Sequence, residues 1–130
     1  MCAHVEFDAT HQVLLLRAEG QFTEESVRSK QASIQRYSTA TGAQAAIFDL
    51  SGVTEFELST NFIKSLANEA PSMSASHPLV IVAPSTHGFG LSRMFQSLSD
   101  QTRPLLQVVR TRDEALSLLG IPSPHFEPLD

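Results

Sequence analysis

An acid at position 49 and a hydroxyl at position 59 are the side chains of this sequence best placed to do chemistry. The stretch Ala46-Ile47-Phe48-Asp49-Leu50-Ser51-Gly52-Val53-Thr54 runs from apolar residues into an acid and a turn, and Leu58-Ser59-Thr60 follows after a short gap. Such a run reads as a buried strand, and a serine ahead of an amphipathic stretch reads as a helix N-cap. Open α/β proteins gather their functional groups outside the carboxyl ends of parallel strands. Asp49 and Ser59 are expected at that edge.

The remaining constellations are weaker. The five histidines, His4, His11, His77, His87 and His125, are scattered, with no pair four apart on a helix, so no metal site is expected. Gly90-Leu91-Ser92-Arg93-Met94 is half of a nucleophile elbow without its second glycine, and Ser92 falls inside a predicted helix. Gly88-Phe89-Gly90 starts a dinucleotide fingerprint whose third glycine is replaced by Arg93. No cofactor and no catalytic residue are expected. What survives is geometric: helices are predicted to open at Ser59, at His87-Gly88 and at Thr111, each directly after a parallel strand. Right-handed crossovers would bring these N-termini to one sheet edge, where free N–H groups and partial positive charge favour an anion. Thr86, His87, Gly88 and Arg93 are the candidate ligand- or partner-contacting residues there, with Arg110 and Arg112 as further positive charges. Ordinary capping accounts for each of these helix ends taken singly.

The elements that must position these residues follow from periodicity. His4 to Asp8 alternates polar and apolar, and Gln12 to Ala18 is rich in Val and Leu; the short link Ala9-Thr10-His11 makes them an antiparallel hairpin. Phe22-Thr23-Glu24-Glu25 opens a helix, with Thr23 as cap and Phe22 stapled to Val27. Ala45 to Leu50 is a strand buried on both faces. After Ser59, the residues Phe62, Ile63, Leu66, Ala67 and Ala70 recur at helical spacing. Pro71 to Pro78 reads as a loop and Leu79 to Ala83 as a strand. Gly88 to Ser99 reads as a helix with Leu91, Met94, Phe95 and Leu98 on its apolar side. Leu105 to Val109 is the last strand, and Thr111 opens a helix closed by Gly120. The order predicts an α/β fold: a mixed, mainly parallel sheet with an N-terminal antiparallel hairpin, covered by about four helices. Its expected core includes Ile47, Phe48, Leu66, Val80, Ile81, Met94, Phe95 and Val108.

Composition bounds the partners. At 130 residues with 42% hydrophobic and 18% charged residues, the chain suits one domain with its own core. That domain is expected over 1–120, with 121–130 as an irregular Pro-rich tail. The net charge of -5 and the lack of a basic cluster argue against nucleic acid. No apolar run approaches the ~20 residues of a membrane helix, so no membrane partner is expected. The single cysteine, Cys2, excludes an intrachain disulfide, and acids in the first 20 residues disfavour a signal peptide; the cytoplasm is the expected compartment.

The element order and the segment from Asp49 to Ser59 together resemble a STAS domain, the fold of anti-sigma-factor antagonists. In that family the strand ends in D-L-S-G-V-T-F-I-D-S-S-G, and the second serine of D-S-S-G is the phosphoacceptor. Asp49-Leu50-Ser51-Gly52-Val53-Thr54 matches directly, which sets Glu57 on the motif aspartate and Ser59 on the phosphoacceptor. Leu58 replaces the first serine and Thr60 the glycine, departures that bear on recognition by the usual kinase. The run Gly88 to Phe95 looks like that of stand-alone bacterial proteins of the wider STAS-like group. The resemblance implies a non-enzymatic regulatory module with a protein partner, anti-sigma kinase-like or another regulator, switched at Ser59 with Asp49, Glu57 and Thr60 in support. A homodimer is compatible with it. The alternative is a domain binding a small molecule or an anion at the carboxyl edge of the parallel strands.

Overall fold

The structure, a computed structural model, describes residues 4–129; Cys2 lies outside them. Its chain order is β1 (His4–Asp8), β2 (Val13–Thr23), α1 (Glu24–Thr41), β3 (Ala45–Glu57), α2 (Thr60–Asn68), β4 (Leu79–Val82), α3 (Thr86–Leu98), β5 (Leu106–Val109), α4 (Arg112–Leu119) and β6 (Glu127–Pro128). The strands form one sheet in the order β5-β4-β3-β2-β1-β6. β2, β3, β4 and β5 run parallel, while β1 pairs antiparallel with β2 and with β6. The mixed sheet with an N-terminal hairpin is therefore as the sequence predicts, and β3 lies inside it between β2 and β4. Among the described residues, no helix is long and apolar enough to cross a membrane.

Period-two alternation sorts the core into two layers. Val13, Leu15, Ile47, Val80 and Val82 face one side, covered by Ala115 of α4 and by Ile121, with Phe126 packed against them. Leu14, Leu16 and Ala46 face the other, where Ile34 of α1 covers them. Leu50 and Ile81 share that second face with Leu66 of α2. Continuous apolar runs such as Leu79–Val82 are what a strand covered on both faces requires.

The expected core is only half realised. Ile47, Leu66, Val80 and Ile81 are buried, but Phe48, Met94, Phe95 and Val108 are half-exposed. Val108 lies on the edge strand β5. On α3 the buried residues are Gly88 and Ser92, followed by Ser99 just beyond its end, so the helix approaches its neighbours on a face of small residues. Its larger side chains flank that contact, and Leu98 is left 41% exposed.

Two strands run further than expected. β2 continues through Glu19 to the cap of α1, and β3 runs on past Asp49 where a turn was expected. The two extensions pair with each other, Glu19 with Gly52 through Thr23 with Glu57, across two register irregularities. Polar residues such as Ser51, Thr54 and Glu55 adopt strand structure here because a partner strand satisfies their backbone groups. Gly52 is required by the crowding: a Cβ there would stand 2.9 Å from Glu19 Cγ and 3.0 Å from the Ala18 carbonyl oxygen. At the first irregularity the wholly buried Lys30 of α1 donates from Nζ to the Arg17 carbonyl at 3.1 Å.

The C-terminal segment also departs from expectation. Residues 122–126 are irregular, but Glu127 and Pro128 pair with Phe7 and Glu6 of β1. Asp8 explains the attachment. Its fully buried carboxylate accepts from the His125 N–H at 2.9 Å, from the His11 N–H at 2.9 Å and from His11 Nδ1 at 2.9 Å. Burial pushes the Asp8 pKa up, but these donors outweigh it and hold the carboxyl at about 2. One side chain thus closes the β1–β2 link, where Gln12 adopts a positive φ of 57°, and ties down the tail.

A carboxyl held below its unfolded value stabilises the fold above that value and ceases to do so as pH falls through the folded one. Asp8→Asn should therefore cost about 1–3 kcal/mol at neutral pH. In urea unfolding followed by circular dichroism, the deficit should shrink between the ordinary 3.8 and the folded value of about 2. A deficit unchanged across that window would show that the charge is not what stabilises the link.

Candidate functional site

Ser59 and Thr86 to Gly88 follow the carboxyl ends of β3 and β4, whereas Asp49 lies within β3, level with Val82 at the end of β4. The structure divides these residues between the two layers. Asp49 sits two residues beyond Ile47 and shares its face, towards α4. Ser59 begins α2, which covers the opposite face. The two therefore do not meet.

Asp49 is 4% exposed and makes three side-chain hydrogen bonds. One carboxylate oxygen accepts from the Ser51 N–H at 2.9 Å and the Ser51 hydroxyl at 2.5 Å, and the other from Arg112 Nη2 at 2.7 Å. Burial raises its pKa; the Ser51 hydroxyl and Arg112 pull it down further, leaving it below the ordinary aspartate value. Arg93, a candidate for contacting an anion or a carboxylate such as Asp49, lies on α3 in the other layer. It is exposed, with its guanidinium 5.9 Å from the Phe89 ring centroid. Arg110 stacks on the same ring at 4.1 Å and donates to the Pro84 carbonyl at 3.4 Å. Arg112 was thus the charge that mattered at Asp49. A signal for it exists in the sequence: a cation in the first turn of a helix is disfavoured by the dipole, so its partner must come from elsewhere in the fold.

Ser59 is an exposed N-cap, as predicted. Its φ and ψ are -79° and 153°, and its Oγ accepts from the Phe62 N–H at 3.0 Å. The same hydroxyl donates to Glu24 Oε2 at 3.3 Å. Glu24 is the first residue of α1, and sequence reasoning did not connect it to Ser59. The pairing of Thr23 with Glu57 makes the link, because it starts α1 and α2 at one level of the sheet. Arg28, one turn on from Glu24, crosses to Glu69 at the end of α2 through bonds of 2.5 and 2.8 Å, and its guanidinium lies 5.2 Å from the Phe62 ring centroid. Glu57 and Thr60 flank Ser59 and are exposed.

The third group is built around Phe56. A shallow depression is lined by residues 53–57 of β3 with Ser85 and His87. His87 meets the Phe56 ring edge-on at 5.6 Å. Gly88 is buried against the same ring, where a Cβ would stand 2.6 Å from Phe56 Cζ. Its N–H is bound by the Ser85 hydroxyl at 3.0 Å, so α3 begins at Thr86, capped by Ser85, two residues earlier than read from Gly88. Thr86 is exposed. α4 is capped by Thr111, whose Oγ1 accepts from the Glu114 N–H at 3.1 Å. Among the described residues, no three His, Cys, Asp or Glu side chains converge as a metal site would require.

With this geometry established, the fold is that of a STAS domain. It matches the solved structure of the anti-sigma factor antagonist SpoIIAA in its unphosphorylated form with a TM-score of 0.62, at 14% identity, covering 94% of this chain and 100% of that one. It also matches the Bacillus cell fate determinant SpoIIAA in its phosphorylated form with a TM-score of 0.54, at 16% identity, covering 91% and 99%. No family model matches the sequence, and no curated protein matches it significantly.

Two substitutions separate the layers. Ser59→Ala should cost about 1 kcal/mol through loss of the cap. Arg112→Met should cost about 1 kcal/mol, discounted for the exposure of the arginine, and leave Asp49 with Ser51 alone. Because the Asp49 pKa is lowered in the fold, the Arg112→Met deficit should be present at neutral pH and fade in acid as Asp49 protonates. Chemical denaturation of both variants at neutral and acid pH checks this; an acid-fading deficit in Ser59→Ala instead would reverse the assignment.

Proposed function

We propose that this protein is a non-enzymatic regulatory module that binds a protein partner, with Ser59 as its phosphorylation switch. The observation that carries the reading is the exposed Ser59 hydroxyl, which caps α2 while it bonds to Glu24 of α1. A phosphoryl group there would add about -1.5 to -2 charges. The α2 N-terminus favours that charge, whereas Glu24 at 3.3 Å and Glu57 nearby oppose it. Phosphorylation would therefore break the Ser59–Glu24 bond and force the α1–α2 surface to rearrange. The likeness to SpoIIAA, solved in both unphosphorylated and phosphorylated forms, supports the same reading at the level of fold.

The partner this reading calls for is an anti-sigma kinase-like protein or another cytoplasmic regulator, meeting the surface around α2. Thr86, His87 and Arg93 border that surface on α3. An anion at the carboxyl edge is a poorer fit, because Glu55 and Glu57 line the depression beside His87 and the Gly88 N–H already has a partner. Ser92 is buried within α3 rather than presented on a turn, which disfavours a catalytic serine.

The test is phosphosite mapping of the protein from its host, together with partner capture by wild type, Ser59→Ala and Ser59→Asp. Phosphate at Ser59 is expected, with one partner retained by Ser59→Ala and reduced about tenfold or more by Ser59→Asp, as a penalty near 1.4 kcal/mol would produce. Equal capture by the two variants at matched stability would leave Ser59 as a cap only.

A further inference from the structure

Between the sheet and the helices α1 to α3 lies a cavity of about 120 Å³ whose walls are almost wholly apolar. Phe48, Phe62, Met73, Leu91 and Phe95 are among its lining residues. It exists because α3 is held in place by Gly88 and Ser92 and its larger residues do not fill the space, which is why Phe48 and Phe95 remain half-exposed. An engineered apolar cavity of about 150 Å³ stays dry and accepts benzene, so this volume suits one small apolar group and is too small for a peptide segment.

Beside a few neutral polar residues such as Gln31 and Ser92, the one charged residue among those lining the cavity is Arg103, which is only 8% exposed. Its Nη1 donates to the Ala67 carbonyl at 3.4 Å and to Thr102 Oγ1 at 3.2 Å, and its guanidinium lies 4.9 Å from the Phe95 ring centroid. Among the described residues it has no carboxylate within ion-pair distance. The acid whose charge it feels, Glu69, is already bound through both oxygens by Arg28. A buried guanidinium held only by neutral acceptors and a ring face is poorly compensated for its lost hydration. Its planar fork matches a carboxylate.

We propose that the cavity is a binding site for a small apolar carboxylic acid, with the hydrocarbon body between Phe48 and Phe95 and the carboxylate on Arg103. The cavity borders the Ser59 cap through Leu58 and Phe62, but the proposal does not depend on that serine being phosphorylated. The size admits an aromatic acid or a short aliphatic one. The rival role for Arg103 is purely structural, a cation at the carboxyl end of α2 that satisfies the Ala67 carbonyl.

The experiment titrates the purified protein with benzoate, hexanoate, benzyl alcohol and hexan-1-ol, read by calorimetry and by NMR shifts of the cavity side chains and the Arg103 guanidinium. The expected result is one-to-one binding of at least one acid, about tenfold tighter than the alcohol of the same carbon skeleton, as one charge-assisted contact would give. Whichever acid binds more tightly identifies the body as a ring or a chain. Arg103→Gln should erase the acid's advantage while leaving the alcohol unchanged, and Leu91→Phe should weaken both by filling the space. Should Arg103→Gln fail to fold, the wild-type guanidinium resonance decides: it should shift with the acid and not with the alcohol. No binding of either acid, an advantage that survives Arg103→Gln, or shifts that map away from the cavity would overturn the proposal.

Discussion

The parallel ladder between β2 and β3 is the constraint on which the rest depends. It pairs Val13 with Ala45 at one end and Thr23 with Glu57 at the other, well beyond the buried part of the sheet. Because both strands stop at the same level, the helices that follow start side by side, each with a hydroxyl cap: Thr23 for α1 and Ser59 for α2. The bond from Ser59 to Glu24 is the direct product of that register. A slip of one residue would turn every side chain beyond it to the opposite face and separate the two helix starts.

The second consequence of the sheet is that its two faces carry separate chemistry. Asp49 follows Ile47 on the α4 face and finds Arg112 there; Ser59 follows on the α2 face and finds Glu24. The half-buried pair holds α4 to the inner part of β3, while the exposed pair joins two helices that solvent can reach. Neighbouring positions in the sequence thus differ in purpose. A buried carboxylate with three short bonds has most of its acceptor capacity taken up within the fold, whereas a hydroxyl with one cap bond and one bond to an exposed acid can change partners.

The third consequence concerns packing. Protein interiors normally fill their space to crystal-like density, and an unfilled volume forfeits dispersion contacts along its walls. Here α3 meets its neighbours through glycine and serine, and the aromatic side chains around the resulting space do not close over it. Phe22 meets both Phe48 and Phe56 edge-on, at 5.8 and 6.0 Å, so part of the wall is a connected set of rings rather than loose side chains. A rigid apolar wall with a buried cation in it is a different kind of surface from the polar, acidic rim near Ser59.

By itself, the sequence determined the local features: the strands at Ala45, Leu79 and Leu106, and the caps Thr23, Ser59 and Thr111. It also carried the switch-like segment that pointed to the fold. These were legible because a cap bonds within its own first turn and a doubly covered strand must be apolar throughout. Tertiary structure alone decided the rest. The extension of β3 through Ser51 to Glu57 depends on β2 as partner, since polar residues there have no pattern of their own. Arg112 is 63 residues from Asp49, and β6 reaches β1 across nearly the whole chain through an Asp8–His125 separation of 117 residues. The burial of Gly88 and Ser92, with Leu91 and Phe95 only partly covered and Leu98 exposed, shifts the periodic reading of α3, because the closeness of the neighbouring elements, not hydropathy alone, selected the residues in tightest contact. Contacts between distant residues are set by how layers meet, and periodicity along one element carries no record of its neighbour's shape.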